Sequence, residues 1–273
     1  MKDKKQRKIR KKNILVAEIK KSKVSFAVYV TLRMIALILL ILSIIFGNYE
    51  SAAMCALTIV MLLAPPFVEK TFKVDLPTTL EVVVMCFIFA HTILGELASF
   101  YVRVPGWDTM LHTLNGFICV GVGISLVDLL NRNKKFRFEL SPIYVVIAAF
   151  CFSMTVGVLW EFFEFGMDMF LGTDMQKDTV ITSIKSVALD PTNSNKVIVI
   201  DGIKMTVVNG ELLPINGYLD IGLIDTMKDL FVNFIGAVVF SIGGFFYLKT
   251  RGKKSRMTEG FIPIPVSDDK TEE

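Results

Sequence analysis

Six stretches of roughly 20 apolar residues recur along this chain, around 24–46, 51–69, 79–101, 107–130, 142–169 and 222–248. A helix rising about 1.5 Å per residue needs that length to cross a hydrocarbon layer of about 30 Å. In lipid, each backbone N–H and C=O must find its partner within the segment or a closed sheet, so each stretch is predicted to be a transmembrane α-helix. Hydrophobic residues make up 53% of the 273, more than an ordinary soluble core uses. The expected fold class is therefore an all-α membrane protein with six transmembrane helices. The second stretch is the shortest, and Pro65 and Pro66 are expected to end or kink it. The first follows a basic N-terminus, as a signal peptide would, but from about Val24 to Phe46 it is too long and lacks a small-residue cleavage site.

Charge sets the expected orientation. Of the 30 Lys and Arg, eleven precede residue 24, two lie near Lys70 and Lys73, four between Arg132 and Arg137, and six from Lys249 onward. The positive-inside rule places all of these in the cytoplasm, with both termini, and makes the chain a multi-pass protein of the cell membrane. Tyr101 and Trp107 fall where an outer aromatic belt is expected. The formal net charge of +4 is confined to loops and one arm, so no nucleic-acid partner is expected. Membrane lipids are the expected partners, and the sequence names no protein partner. Cys55, Cys86, Cys119 and Cys151 lie in apolar stretches without C-x-x-C spacing and read as packing residues.

The expected organisation is a basic cytoplasmic arm over 1–23, five membrane helices over 24–170, an extracytoplasmic insertion over 171–221, a sixth helix over 222–248 and a cytoplasmic tail over 249–273. The arm carries interspersed aliphatic residues suited to anionic headgroups, though a pure topology signal explains it equally. The insertion is long enough to fold by itself. Lys196 to Val208, with Asp201-Gly202 between β-rich runs and Asn209-Gly210 after them, reads as a hairpin or meander. Marks on helices three and four recur on five and six: Glu96, Asp108 and His112 against Glu161, Asp225 and Asp229, which suggests a tandem repeat of a helical hairpin.

The chemistry-bearing residues crowd toward one side. At about 100° per residue, Asp108, His112 and Asn115 share one face of helix four, Glu161, Glu164 and Asp168 one face of helix five, and Asp225, Asp229 and Asn233 one face of helix six. Glu96 joins them from helix three. His91 falls about 140° from Glu96 in an α-helix and reads as an interhelical hydrogen-bonding residue. Only Lys228 and Arg103 stand nearby as fixed cations. An ionised carboxylate facing lipid near midspan costs of order 3 kcal/mol, so these groups are expected to converge on one another, on water or on a cation. Like charges in a low dielectric cannot all remain ionised, so either some take protons or a positive ligand binds. Carboxylates with an imidazole suit Zn²⁺ or Mn²⁺, and oxygens alone Mg²⁺ or Ca²⁺. The metal-ligand candidates are Asp108, His112, Glu161, Asp225 and Asp229, with Glu161 and Glu164 as general-base candidates. A structural polar network involving Asn115, Asn233 and Thr92 is the bland alternative. Asp168 and Asp225 sit where helix-end charges are ordinary. On the opposite side, Arg33 is expected to pair with Glu81 or Asp128.

These motifs resemble those of the YjdF-like bacterial inner-membrane proteins and, more distantly, of the VanZ-like proteins. The resemblance rests on D-x-x-x-H-x-x-x-G at Asp108, His112 and Gly116, E-x-x-E at Glu161 and Glu164, and D-x-x-x-D at Asp225 and Asp229 with Gly236-Ala237 following. It covers roughly residues 80–248, and the chain departs from it by about fifty residues inserted between the second and third motifs and by the basic arm. The resemblance implies a topology more than an activity, since YjdF-like proteins have none established and VanZ-like ones are associated with glycopeptide resistance by an unclear route. The leading expectation is a cation or divalent-metal site near the outer leaflet that binds or modifies an envelope lipid headgroup. The alternatives are a cation- or proton-coupled transporter and a non-catalytic accessory protein whose polar cluster is structural.

Overall fold

The structure, a computed structural model, describes residues 23–72, 74–131, 140–250 and 264–265. Most of the basic arm, the loop from Arg132 to Arg137, the side chain of Asp128 and most of the tail lie outside the described residues. Six described helices are long and apolar enough to cross a membrane: Lys23–Ile45, Tyr49–Thr71, Thr78–Leu97, Trp107–Val127, Pro142–Leu171 and Leu223–Lys249. The chain forms two compact units, residues 1–154 with 233–273, and residues 155–232.

Two spans depart from regular α-helix, each for a local reason. The second runs from Tyr49 to Met61, capped by the Asn48 side chain on the Ser51 N–H, and resumes over Ala64–Phe72. Pro65 and Pro66 stand in the first turn of that second piece, where a missing N–H leaves no bond unmade, so the interruption expected near them falls at Leu62–Leu63 and the prolines open the segment that follows. The third span is α-helical over Thr78–Phe89 and π-helical over Ala90–Leu97. It stops at Ser99, whose φ of 60° turns the chain into a short helix, Phe100–Arg103.

In the first unit, spans four, five and six share a core of Val120, Ile124, Val145, Ala149, Ala237 and Phe240. Small residues let two of these helices touch backbone to backbone. A Cβ at Gly116 would strike the Asn233 carbonyl, and one at Gly236 would strike the Thr113 carbonyl. Ser153 Oγ donates to the Gly116 carbonyl at 2.9 Å, tying span five to span four. Spans one to three meet around Leu62, Met85 and Ile88, and Thr58 and Thr92 join spans two and three by a buried hydroxyl pair at 2.8 Å. Arg33 donates to the Ile59 carbonyl at 3.0 Å and lies over the Tyr29 ring, so a neighbouring carbonyl and a π face help hold the charge. Of the four cysteines, Cys55 alone is fully buried. Strand β1 (Val74–Asp75) pairs antiparallel with β8 (Ile264–Pro265) from the tail.

The second unit holds the ends of spans five and six and the connection between them, built from two-stranded antiparallel pairs: β2 (Val180–Ile181) with β7 (Tyr218–Leu219), β3 (Ser183–Ser186) with β4 (Ile198–Asp201), and β5 (Val207–Val208) with β6 (Glu211–Leu212). Asn209-Gly210, with φ of 54° and 88°, turns the expected hairpin. Asp201-Gly202 does not: β4 pairs backward with β3, and Gly202 only lets the chain leave the strand. The loop between β3 and β4 is organised by Asp190. Its carboxylate accepts from the Thr192 and Ser194 amides and hydroxyls and from the Lys196 amide, at 2.6–3.2 Å.

Replacing Gly236 by Leu is expected to destabilise the first unit by at least about 1–3 kcal/mol, because the obstructing atom is backbone and cannot yield; unfolding in detergent measures it. The Thr192 hydroxyl and amide, followed by the other donors, hold the Asp190 carboxyl well below the ordinary carboxylate range. A depressed acid stabilises its fold above the unfolded value, about 3.9, and that contribution falls away as pH drops below it. Protection of the Thr192, Ser194 and Lys196 amides, as exchange relative to the intrinsic rate at each pH, should therefore hold at neutral pH, fall progressively as pH drops below about 4, and be low throughout in Asp190→Ala.

Candidate functional site

In the first unit, span four opens at Trp107 and carries Asp108 in its first turn, where the positive end of the helix dipole favours an anion. His112 lies one turn further, its Nε2 3.4 Å from Asp108 Oδ1. Another turn in, Asn115 Nδ2 donates to Asn233 Oδ1 at 3.1 Å, and Asn233 Nδ2 reaches Met154 Sδ at 3.6 Å. The glycine contacts explain this crosslink, since only helices without intervening Cβ atoms bring two short carboxamides within bonding distance. His112 and Asn233 are buried and Asp108 partly so.

Span three contributes differently from the α-helical expectation. In a π-helix, residues five apart are hydrogen-bonded partners about one turn apart, so His91 and Glu96 come toward the same side. His91 Nδ1 is hydrogen-bonded to the Tyr101 hydroxyl, and the two rings meet edge to face at 5.7 Å. Neither the pair nor the π-helical turn was legible beforehand. The usable signal was the run of Gly95, Ser99 and Tyr101 just after a histidine on an apolar span.

In the second unit, Glu161 and Glu164 are buried on span five, and Asp229, at 1% exposure, is buried on span six. Glu164 Oε1 accepts from Trp160 Nε1 at 2.8 Å, an i, i+4 contact that the sequence offers as two neighbours on one helical face. Asp168 accepts from the Thr173 hydroxyl and the Met175 and Gln176 amides at 2.6–2.8 Å. Asp225 accepts from the Lys177 amide at 2.9 Å and stands 3.8 Å from Lys228 Nζ, while Gln176 Nε2 donates to Thr226 at 2.6 Å. These bonds fasten the start of the connection to both helix ends.

Among the described residues, the first unit thus brings Asp108 and His112 together, and in the second the ligand atoms of buried Glu161 and Glu164 lie within 4.8 Å of each other. One imidazole with carboxylate oxygens is a borderline donor set of the kind Zn²⁺ and Mn²⁺ accept.

A family model described as a predicted membrane protein family, DUF2238, matches residues 28–250. The chain belongs to that family. The DUF2238 match takes in the first span from residue 28 and the other five spans whole, with Asp108, His112, Glu161, Glu164 and Asp229. The chain is also similar to an uncharacterized protein of Thermotoga maritima, 27% identical over 108 residues, which are 40% of this chain and 54% of that protein. It thus spans about half the length of this curated relative. No solved structure matches.

Trp160→Phe removes the indole donor from buried Glu164 and keeps the ring. The expected cost is about 1–3 kcal/mol of stability, read by denaturant titration in detergent.

Proposed function

We propose that Asp108, His112, Glu161, Glu164 and Asp229 bind a divalent cation near one membrane face, and that the site so formed binds or modifies a lipid headgroup or lipid-linked phosphate. The observation that carries this reading is that His112, Glu161, Glu164 and Asp229 are all buried on apolar spans, with Asp108 beside His112. Burying several carboxylates without countercharge would cost of order 3 kcal/mol each, and a dication offsets all of them at once. Helix register supports convergence. Asp229 precedes Asn233 by one turn on an unbroken helix, and Glu161 follows Ser153 by eight residues, about 12 Å, on another. Asn233 and Ser153 each bond span four, at Asn115 and at Gly116, which lie one turn inward of His112.

In this reading Asp108, His112 and Asp229 are ligands, and Glu161 or Glu164 takes a proton from water or substrate, with Trp160 orienting Glu164. Asp225, engaged by Lys177 and Lys228, serves chiefly to anchor the connection. The Lys and Arg distribution supports cytoplasmic termini in the cell membrane, with the cluster toward the opposite face and membrane lipids as partners. The YjdF-like motif order is consistent with DUF2238 membership and adds no activity.

A second reading, a structural polar network, is favoured by the Asn115–Asn233 and Ser153–Gly116 bonds. Elemental analysis of tag-free protein in detergent separates the two. A stoichiometric transition metal, lost in Asp229→Asn and Glu161→Gln while folding persists, supports the cation site. Metal-free native protein whose variants fail to fold supports the network.

A further inference from the structure

Arg33 stands ten residues from Lys23 and twelve from Ile45, the ends of span one, which puts it about 15 Å in, near the centre of a hydrocarbon layer of about 30 Å. Its contact on span two gives the same depth, since Ile59 is ten residues from Tyr49 and twelve from Thr71. An arginine side chain is too short to carry its guanidinium from there to either headgroup layer. The fold gives this charge little. A guanidinium has five N–H groups, and here Nη2 donates to the Ile59 carbonyl at 3.0 Å, the Tyr29 ring lies 4.6 Å from Cζ, and Nε is buried with no hydrogen-bond partner among the described residues. No described carboxylate pairs with it. Asp128 follows Val127, the last residue of span four, and so stands at a membrane face and not at this depth.

The position of Arg33 around span one shows what can reach it. At about 100° per residue, buried Ser25 and Ala36 fall on one side of it, and exposed Val30, Met34, Leu37 and Ile41 fall in an arc of about 60° on the other. Arg33 therefore stands on the border between the packed face and the open one. The exposed four alternate spacings of four and three residues, the pattern of a seam along which a second helix packs. Exposed Val60, next to Ile59, continues the apolar surface onto span two, and span one is the least enclosed of the six. We infer that spans one and two form a docking surface for a transmembrane helix of another protein that carries a carboxylate at its own midpoint, paired with the donors of Arg33 that the fold leaves over. A carboxylate matches the guanidinium fork with two parallel bonds. An acid and a base that are each costly alone at the bilayer centre become tolerable together. Lipid phosphates lie half a bilayer away, whereas a midspan acid arrives at the right depth. The surface uses none of Asp108, His112, Glu161, Glu164 and Asp229 and stands independently of the cation site.

The probe is a synthetic leucine–alanine transmembrane peptide with lysine ends and a single midpoint Asp, or Ala in its place. It is mixed with full-length protein in phosphatidylcholine vesicles, and energy transfer between labels reads association. The Asp peptide should bind the native protein about ten- to a hundredfold more tightly than the Ala peptide, the range for a charge-assisted hydrogen bond, and Arg33→Met should remove that difference. Equal binding of the two peptides to native protein overturns the proposal, as does an Asp preference that survives Arg33→Met. Two other occupants give results of their own, and either one overturns it. Transfer between differently labelled native copies that Arg33→Met abolishes assigns the surface to a second copy of this chain. An Asp preference lost when phosphatidylglycerol replaces phosphatidylcholine assigns Arg33 to a lipid phosphate. The peptide comparison on native protein decides the matter if the variant fails to fold.

Discussion

The cost of placing charge and hydrogen-bonding groups in hydrocarbon governs how this chain is built. An apolar helix needs nothing from its neighbours, whereas a carboxylate, carboxamide or imidazole on the same helix must find a partner there. His112, Glu161, Glu164, Asp229 and Asn233 are all buried on membrane spans, while many large apolar side chains of those spans are exposed. Lipid can serve as solvent for Phe162, Phe231 and Val239, but not for the acids. Their inward placement therefore follows from solvation, and so does the need for tight helix contact to hold them.

That contact depends on residues with no chemistry of their own. Gly116 and Gly236 occupy places where a single methyl group would strike the facing helix's carbonyl, and the closeness they permit lets Asn115 reach Asn233. A hydrogen bond of this type within a membrane contributes about 0.6–2 kcal/mol. Its greater value here is in register, since it fixes spans four and six one turn below His112 and Asp229. The π-helical turn serves span three in a comparable way, re-phasing the helix so that His91 and Glu96 approach the same side.

The connection between spans five and six shows acids used for architecture. Asp168 and Asp225 spend their lone pairs on backbone amides of Met175, Gln176 and Lys177, and Asp190 spends its own on a single tight loop. Carboxylates in this region are thus of two kinds. Those at the helix ends and in the connection accept from nearby amides, whereas Glu161, Glu164 and Asp229 are buried along the spans, where Glu164 accepts from the Trp160 indole.

By itself the sequence determined the six spans, their limits to within a few residues, the faces shared by Asp108 with His112 and by Glu161 with Glu164, and the Asn209-Gly210 hairpin. All of these follow from local rules: hydrocarbon thickness, 100° per residue, and the positive φ that one turn demands. Tertiary structure decided which polar groups meet. The bond from His91 to Tyr101, the pairing of β4 back to β3, the Arg33 contact with a carbonyl and the amide crosslink from Asn115 to Asn233 join residues through packing between segments. An α-helical wheel drawn through Ala90–Leu97 sends His91 away from Glu96, and only the backbone's change to i→i+5 bonding reverses that. Periodicity tells which side of a helix is polar. It carries no information about what stands opposite, because that depends on contacts between residues far apart in the chain.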